Sequence, residues 1–172
     1  TYYTGSIAAA YGGTTSFVDF AFLNEGETPK TAMERKMKEA AGESVLDYSF
    51  HPCITSMDSR SLDEIHSFLQ SGFPSIKLFT VYRGTLMLEK AGVYEVMKMI
   101  AREGGIALVH AESADMIERN TADATREGRP DARAHALSRP PVTELEAMYG
   151  VYAMARETGA PVVLAHMTTG KV

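Results

Sequence analysis

The chain has 172 residues, of which 45% are hydrophobic and 23% charged, a composition typical of a globular protein with one sizeable core. Its formal net charge of -5 and its dispersed basic residues argue against a nucleic acid or an anionic membrane as a partner. The single cysteine, Cys53, excludes an internal disulfide and favours the reducing cytoplasm, and no apolar run reaches the roughly 18 residues of a membrane helix.

Five short segments with strand character alternate with helical segments along the chain. The strands are predicted at 13–20, 44–51, 74–81, 105–112 and 161–168. The helices are predicted at 28–41, with Pro29 in the first turn, and at 61–71, 89–102, 113–126 and 143–158. Ser61 and Thr143 each precede a glutamate by three residues, which predicts a capping box at both helix starts.

The spacing of these elements restricts the fold. The first four strands begin about 30 residues apart, which is the length of a strand plus its crossover helix. Such repeats form either a doubly wound sheet or a (β/α)8 barrel, and the glycine-rich phosphate motif of the doubly wound class is absent. A barrel needs about 250 residues. We therefore predict an α/β fold in which residues 1–172 form about five βα units of a TIM-type (β/α)8 barrel, cut at both ends, with 128–141 as an inserted loop on one rim.

Polar side chains interrupt three successive predicted strands, at Lys77, His110 and His166, where the neighbours of each are apolar. In barrel folds, reactive groups collect at the carboxyl ends of parallel strands. Two imidazoles in equivalent positions suit a shared metal ion, whereas an ordinary hydrogen bond in the core or at the rim explains a single histidine. The spacing alone leaves both explanations open.

Lys77 is the unusual member of this set, since an unpaired buried ammonium costs several kcal/mol. An ammonium has no lone pair and cannot bind a metal. A lysine carboxylated by carbon dioxide can, because its carbamate offers two oxygens to bridge two cations, and burial favours the neutral amine that carboxylation requires. The alternative, which the spacing alone favours, is a lysine that reaches the rim or pairs with Glu112.

Six groups of short motifs occur in order over nearly the whole chain. They are YTG (3–5) with AAAYGGTT (8–15), DYSFH (47–51), SIKLF (75–79) with Tyr82, VHAE (109–112), HALSRPP (135–141) with Glu144 and EA (146–147), and VLAH (163–166). Together they resemble the cyclic amidohydrolases of the dihydropyrimidinase and D-hydantoinase family, within the metal-dependent amidohydrolase superfamily of barrel enzymes. Each motif alone is weak, whereas six groups in this order are specific.

The resemblance implies a role for four residues. Lys77 matches the carboxylated lysine that bridges two zinc ions. His110 and His166 match the two histidine ligands of the more exposed zinc ion. Tyr82 matches a catalytic tyrosine on a flexible loop, which hydrogen-bonds the substrate and stabilises the oxyanion.

Other polar residues of the matching motifs are assigned no metal. The resemblance implies only supporting roles for Glu112, Ser138 and Arg139. His51 is expected to have a role in structural packing, and His66, on a polar helix, is expected to face solvent.

The resemblance also implies the reaction of the intact protein. This reaction is zinc-dependent hydrolysis of a cyclic amide by a metal-bridging hydroxide, which opens a dihydropyrimidine or hydantoin ring to an N-carbamoyl amino acid. The family's His-x-His pair and catalytic aspartate are not found in this sequence, and we expect them before and after it. The isolated segment is therefore expected to be inactive, with Lys77 unmodified. The implied assembly is a homotetramer.

Three alternatives stay open. Allantoinase and dihydroorotase are the nearest rivals, although Tyr82 and DYSFH favour a dihydropyrimidinase or hydantoinase. Non-enzymatic scaffold relatives of the collapsin-response-mediator type keep the fold but lose metal ligands, and the retained Lys77, His110 and His166 argue against them. The third is a truncated, inactive product that depends on association to cover its unpaired barrel edges.

Overall fold

The computed structural model describes residues 1–58, 60–128 and 131–170. Its helices are α1 (Tyr2–Tyr11), α2 (Pro29–Ala40), α3 (Ser61–Gln70), α4 (Lys90–Glu103), α5 (Ala114–Arg126), α6 (Ala132–Leu137) and α7 (Pro141–Thr158). Its strands are β1 (Ser16–Ala21), β2 (Asp47–Pro52), β3 (Ser75–Phe79), β4 (Ile106–His110) and β5 (Val162–Leu164). The predicted alternation of strands and helices is confirmed. Across these described ranges, no helix combines the length and apolar character that a membrane crossing requires.

The strands pair in parallel and in chain order. β1 pairs with β2, and β3, β4 and β5 form a second sheet in that order. A parallel bridge between Cys53 and Lys77 continues this order from β2 to β3, and there the Ile54 amide donates to the Lys77 carbonyl at 3.1 Å. Strand order without a reversal is typical of a barrel wall and differs from the doubly wound class. The parallel α/β arrangement is thus confirmed, and closure into a barrel stays a prediction.

The two faces of β3 have different neighbours. Side chains alternate along a strand, so Ile76 and Leu78 share one face, and Lys77 and Phe79 share the other. The first pair belongs to the main core together with apolar residues of α4 and β4, namely Val93, Val96, Met97, Ile100, Ala107 and Val109. The face that carries Lys77 is therefore opposite to the face that packs against the helices.

Each helix that leads into a strand is followed by a glycine with a positive φ. The five glycines are Gly13, Gly42, Gly72, Gly104 and Gly159, with φ between 76° and 88°. The predicted helix ends at four of them are confirmed, and the end at Gly13 belongs to α1, which the sequence patterns did not predict. The start of α1 rests on Thr1, whose hydroxyl accepts from the Thr4 amide at 3.3 Å.

Two predicted capping boxes are wrong. α3 has Ser61 as its first residue, and the Asp58 carboxylate accepts from the Ser61 amide at 3.0 Å and from the Arg60 amide at 2.9 Å. α7 begins at Pro141, and the Thr143 hydroxyl donates back to the Pro140 carbonyl at 2.9 Å. In both helices the Ser/Thr-x-x-Glu pattern lies inside the first turn, because the residues before it already start the helix.

The prediction of an inserted loop at 128–141 also needs correction. Residues 132–137 form α6, whose start is stabilised by the Asp131 carboxylate, which accepts from the Ala134 amide at 2.9 Å. Residues 129 and 130 lie outside the described residues. The described part of this segment therefore contains a short helix, and α7 follows it at Pro141.

Candidate functional site

Lys77 lies in the middle of β3 and is 2% exposed. Its Nζ lies 4.6 Å from the centre of the Phe79 ring and 5.2 Å from that of Phe20. Within the described ranges, no ion pair or hydrogen bond to this Nζ is present. The predicted alternative of a pair with Glu112 is not found, because Glu112 pairs with His110 and Arg139.

The surroundings of Lys77 favour its uncharged form. Burial lowers the pKa of the Lys77 amine to about 8, and the neighbouring Cys53 thiol opposes this shift. At pH 7, a pKa of about 8 leaves about a tenth of the amine neutral, against about one part in three thousand at the usual value of 10.5. The fold thus raises the fraction of neutral, nucleophilic amine at this position.

His110 is the last residue of β4 and its ring is the centre of an aromatic cluster. The ring centroid lies 4.5 Å from that of His166, 5.4 Å from that of Tyr82 and 5.5 Å from that of Phe79. Because Phe79 and His110 are partners in the parallel register, the end of β3 lies beside the end of β4. The predicted residues Tyr82, His110 and His166 are therefore brought together, and Phe79 connects them to Lys77.

One nitrogen of the His110 ring is engaged by Glu112. Nε2 lies 2.6 Å from Oε2 of Glu112, and Oε1 of the same carboxylate lies 3.5 Å from Nε of Arg139. The hydrogen bond from His110 is the main cause that lowers the pKa of Glu112. Since a carboxylate accepts this bond, a neutral His110 carries its proton on Nε2 and keeps the lone pair on Nδ1.

His166 lies in a turn and not within the predicted strand, because β5 ends at Leu164. Its φ of 40° is in the left-handed region, which is uncommon for a residue other than glycine. Simple alternation from the pairing of Leu164 with Val109 would put His166 on the face opposite to His110. The turn breaks that alternation, and the two imidazoles meet edge to face.

Tyr82 occupies the loop that follows β3 and also has a left-handed backbone, with a φ of 70°. Its carbonyl accepts from the amides of Thr85, Leu86 and Met87 at 3.0–3.1 Å, so the loop folds tightly around this residue. The side chain is 36% exposed. The ring contacts His110 edge to face and lies 6.2 Å from the ring of Phe79.

Lys77 lies deeper in the sheet than the histidines. It is in register with Leu108, two residues before His110, which corresponds to roughly 6–7 Å along a strand. The donor set of two contacting imidazoles and a buried amine without a polar partner fits a metal ion once the amine is carboxylated. Among the described residues, no group of three or more His, Cys, Asp and Glu side chains is arranged to hold a metal.

The remaining predicted residues have other partners. His51 lies with Nδ1 2.5 Å from the Ser75 hydroxyl and packs against Phe20, in accordance with a structural role. Burial, followed by the nearby charge of Lys77, lowers the pKa of His51. His66 has half of its side chain exposed, as expected, and Nδ1 lies 3.1 Å from Glu103.

The sequence patterns did not identify the residues that surround the predicted ones. Phe79, two residues after Lys77, is signalled by strand alternation. Phe20 approaches from β1, and the packing of two distant strands has no local signal. A cavity of about 720 Å³ is lined by α1, β1 and α2 and contains none of the four predicted site residues.

Comparison with known proteins gives the chain a set of relatives. No protein-family model matches it. It is 33% identical to the D-hydantoinase of Geobacillus stearothermophilus over 166 residues, which are 96% of this chain and 35% of the relative. It is also 33% identical to the dihydropyrimidinase of Arabidopsis thaliana over 171 residues, 96% of this chain and 31% of the relative. The chain thus spans about a third of the length of the curated relatives it matches.

Solved structures agree with this result. A dihydropyrimidinase from Brevibacillus agri NCHU1002 matches with a TM-score of 0.94 and 32% identity, over 98% of this chain and 37% of that chain. A D-hydantoinase crystal structure matches with a TM-score of 0.92 and 34% identity, over 97% and 36% of the two chains. The predicted resemblance is confirmed, and the chain is homologous to the cyclic amidohydrolases of the D-hydantoinase and dihydropyrimidinase family over about a third of their length.

Proposed function

We propose that the whole protein containing this chain is a zinc-dependent cyclic amidohydrolase that opens a hydantoin or dihydropyrimidine ring to an N-carbamoyl amino acid. One observation carries the proposal: Lys77, which is buried and has no polar partner among the described residues, lies on the strand beside the one that ends at His110, whose ring contacts His166 and Tyr82. The names of the relatives, D-hydantoinase and dihydropyrimidinase, support the class of substrate. We also propose that the chain is part of a closed (β/α)8 barrel domain, in a cytoplasmic homotetramer.

Lys77 would change its charge before it serves in the site. The ammonium first loses one proton. The neutral amine then attacks carbon dioxide, a nitrogen–carbon bond forms while one carbon–oxygen π bond opens, and a second proton leaves the nitrogen, so that a cation becomes an anionic carbamate. The lowered pKa of the amine and the absence of a polar partner among the described residues both favour this reaction. The carbamate oxygens would bridge two zinc ions, as the resemblance implies.

His110 and His166 would bind one of the zinc ions through their imidazole nitrogens. A bound zinc ion would polarise the ring carbonyl of the substrate and lower the pKa of a water molecule. The two rings already contact each other at a centroid distance of 4.5 Å, which reduces the rearrangement that binding requires. The second ion would need further ligands from outside this chain.

Tyr82 would orient the substrate and stabilise negative charge on its carbonyl oxygen. A phenol is a hydrogen-bond donor, and a donor fixed before the reaction stabilises the oxyanion more than a mobile one does. The backbone hydrogen bonds to the Tyr82 carbonyl hold this residue in place. The contact with His110 keeps its ring next to the zinc ligands.

The test is ring opening by the whole protein, loaded with zinc and supplied with hydantoin and 5,6-dihydrouracil. Chromatography of the N-carbamoyl product measures turnover, and elemental analysis measures zinc. We expect turnover and bound zinc in the wild type and the loss of both in Lys77→Ala. The matched control is Lys98→Ala, since Lys98 is an exposed lysine that pairs with Glu95 on α4.

Further substrates separate the related functions. Allantoin and dihydroorotate in the same assay test the two rival cyclic amidohydrolases. Absence of both bound zinc and turnover of any of the four compounds would favour a scaffold protein. Two zinc ions retained in Lys77→Ala would contradict the bridging role of the lysine.

A further inference from the structure

Two glutamates without a role in the proposed reaction lie beside the histidines, one bonded to the ring of His110 and the other to the chain that follows His166. Glu112 accepts from Nε2 of His110 at 2.6 Å, and both side chains are 11% exposed. The Thr80 hydroxyl donates to the Glu112 carbonyl at 2.8 Å and accepts from the Glu112 amide at 2.9 Å. Glu112 is therefore fixed to the loop after β3 through its backbone and to His110 through its side chain.

Arg139 occupies the second oxygen of the same carboxylate. Its Nε lies 3.5 Å from Oε1 of Glu112, and its guanidinium also donates to the Ser138 hydroxyl at 3.2 Å. With Oε2 on His110 and Oε1 facing Arg139, the carboxylate has neither oxygen directed at a ligand of its own. Its geometry suits the orientation of His110 through Nε2, which leaves Nδ1 of a neutral ring as the donor to a metal.

The first turn of α7 holds the loops that follow both histidines. The Thr143 carbonyl accepts from the Ser113 amide at 2.9 Å, three residues after His110. The Glu144 carboxylate accepts from the Thr168 hydroxyl at 2.9 Å, from the Thr169 amide at 2.8 Å and from the Thr168 amide at 3.2 Å. These bonds fix the chain two and three residues after His166.

We infer that Glu112 and Glu144 are positioning residues for the two histidines, the first by orienting the ring of His110 and the second by fixing the turn that carries His166. The inference rests on the proposed zinc site and deepens it. It also gives a use to the motif HALSRPP with Glu144, because Arg139 and Glu144 both come from this segment. Removal of either glutamate weakens the binding of zinc at the exposed position without removing a ligand.

The test compares zinc dissociation constants of the whole protein, measured by competition with a coloured chelator. Glu112→Ala and Glu144→Ala are each expected to weaken zinc binding by about 10–100-fold, the usual effect of a partner that orients a metal ligand. Glu112→Gln keeps an acceptor for His110 and is expected to retain most of the affinity. The matched control is Glu146→Ala on α7, since Glu146 pairs with the exposed Lys90 at 3.5 Å.

A second readout needs no metal and separates orientation from general stability. The proton on Nε2 of His110 is hydrogen-bonded and buried, so proton NMR of the metal-free protein should show a downfield imidazole N–H resonance that exchanges slowly with water. We expect this resonance in the wild type and in Glu112→Gln, and its loss in Glu112→Ala and in His110→Ala. Circular dichroism at the same temperature checks that each variant is folded, and the glutamine variant still tests the inference if the alanine variant unfolds.

The outcomes distinguish this inference from the proposed function. Tight zinc binding by the wild type and equally tight binding by folded Glu112→Ala and Glu144→Ala would overturn the inference and leave the function intact. Failure of the zinc-loaded wild type to retain any zinc would overturn both. Equal losses in Glu146→Ala would also contradict the inference, because they would show a general effect of the removal of a carboxylate from α7.

Discussion

The turns at the two ends of the strands use the left-handed backbone in different ways. At the helix-to-strand end, glycine occupies the position of positive φ in all five turns. At the strand-to-helix end, the described positions of positive φ include Gly26 and Gly84 but also Tyr82 and His166, which are two of the four residues that the sequence motifs assign to the site. A non-glycine residue in this conformation costs of order 1–3 kcal/mol, and glycine avoids this cost.

This difference indicates that the helix-to-strand turns favour stability, whereas the strand-to-helix turns keep side chains that the candidate site needs. A glycine would relieve the strain at Tyr82 and at His166, but it would remove the phenol and the imidazole. The surrounding structure therefore holds both residues in place, through the amides around the Tyr82 carbonyl and through the bonds of Glu144 to the loop after His166. The predictions below test this difference from the largest expected effect to the smallest.

The largest effect on the free energy of unfolding is expected from the removal of the buried Lys77 ammonium. Lys77→Met should raise the free energy of unfolding of the metal-free protein at pH 7 by up to about 3 kcal/mol, the equivalent of a pKa lowered from 10.5 to about 8. Below pH 8, both the folded and the unfolded wild type hold the proton, so the full cost of burial remains. Between pH 8 and 10.5 the folded state alone loses it, and the wild type gains stability.

Urea unfolding at pH 7 and pH 10, in the presence of a chelator, measures this effect. The advantage of Lys77→Met over the wild type should shrink as the pH rises through this window. Lys98→Met, at an exposed lysine of α4, should give the same small change at both values. An advantage of Lys77→Met that is independent of pH would show that the packing of the new side chain causes the change, and not the buried charge.

The helix-to-strand end is tested by the substitution of its glycines with alanine, which adds one methyl group. Gly104→Ala and Gly159→Ala should each lower the free energy of unfolding by about 1–2 kcal/mol, since an alanine is strained at φ values of 83° and 76°. Apart from the two adjacent residues, no atom of the described chain lies within 4 Å of the added Cβ at either position, so the backbone conformation causes the loss. Zinc binding should be unchanged.

Gly150→Ala is the matched control, because Gly150 lies in the interior of α7 and also has open space around its Cβ. This variant should raise the free energy of unfolding by about 0.5–1 kcal/mol, the usual gain of alanine over glycine within a helix. Thermal or urea unfolding of the three variants measures the contrast. Equal effects at Gly150 and Gly159 would contradict the assignment of the cost to the left-handed backbone.

The strand-to-helix end is tested by the substitution of Tyr82 and His166 with glycine and, separately, with alanine. Alanine and glycine both remove the side chain of Tyr82, but only glycine relieves the backbone, so Tyr82→Gly should be about 1 kcal/mol more stable than Tyr82→Ala. The same order is expected for His166→Gly and His166→Ala. Where φ is negative, the alanine variant is the more stable of such a pair. Urea unfolding of the four variants therefore decides whether the backbone at Tyr82 and His166 is strained.

The comparison also shows how far the sequence could predict this protein. The order of strands and helices followed from hydrophobic periodicity and from glycines at the helix ends, which are local signals. The position of His166 in a turn was not predicted, because the run VVLAHMT reads as one strand and nothing local indicates that β5 ends at Leu164. The capping boxes predicted at Ser61 and Thr143 were wrong, since the same short pattern occurs at a cap and inside a first turn.

Within the candidate site, the sequence identified the polar residues and missed their environment. Lys77, His110 and His166 were visible because polar residues interrupt apolar strands. The ring of Phe20 over Lys77 and the contact of Arg139 with Glu112 depend on the packing of segments far apart in the chain. Periodicity and motif spacing report only what lies nearby along the chain, so contacts of this kind had no signal.

The smallest effect is expected in the loop between β1 and α2, which lies at the strand-to-helix end but carries none of the four predicted site residues. In this loop the residue of positive φ is a glycine, Gly26, with a φ of 79°. The loop is also held by an ion pair, in which Arg35 donates to both carboxylate oxygens of Glu27 at 2.7 and 2.9 Å and to the Phe22 carbonyl at 2.8 Å. The hydrogen bonds from Arg35 are the main cause that lowers the pKa of Glu27 to about 2. Because the folded value lies below the usual 4.5, this stabilisation is present above pH 4.5 and is lost as the pH falls towards 2.

Arg35→Gln should therefore reduce the dependence of the free energy of unfolding on pH between 4.5 and 2, by a small amount since the pair lies near the surface. Zinc binding should not change, and a loss of zinc in this variant would show that the loops at this end are coupled and that the site does not end at the residues around His110.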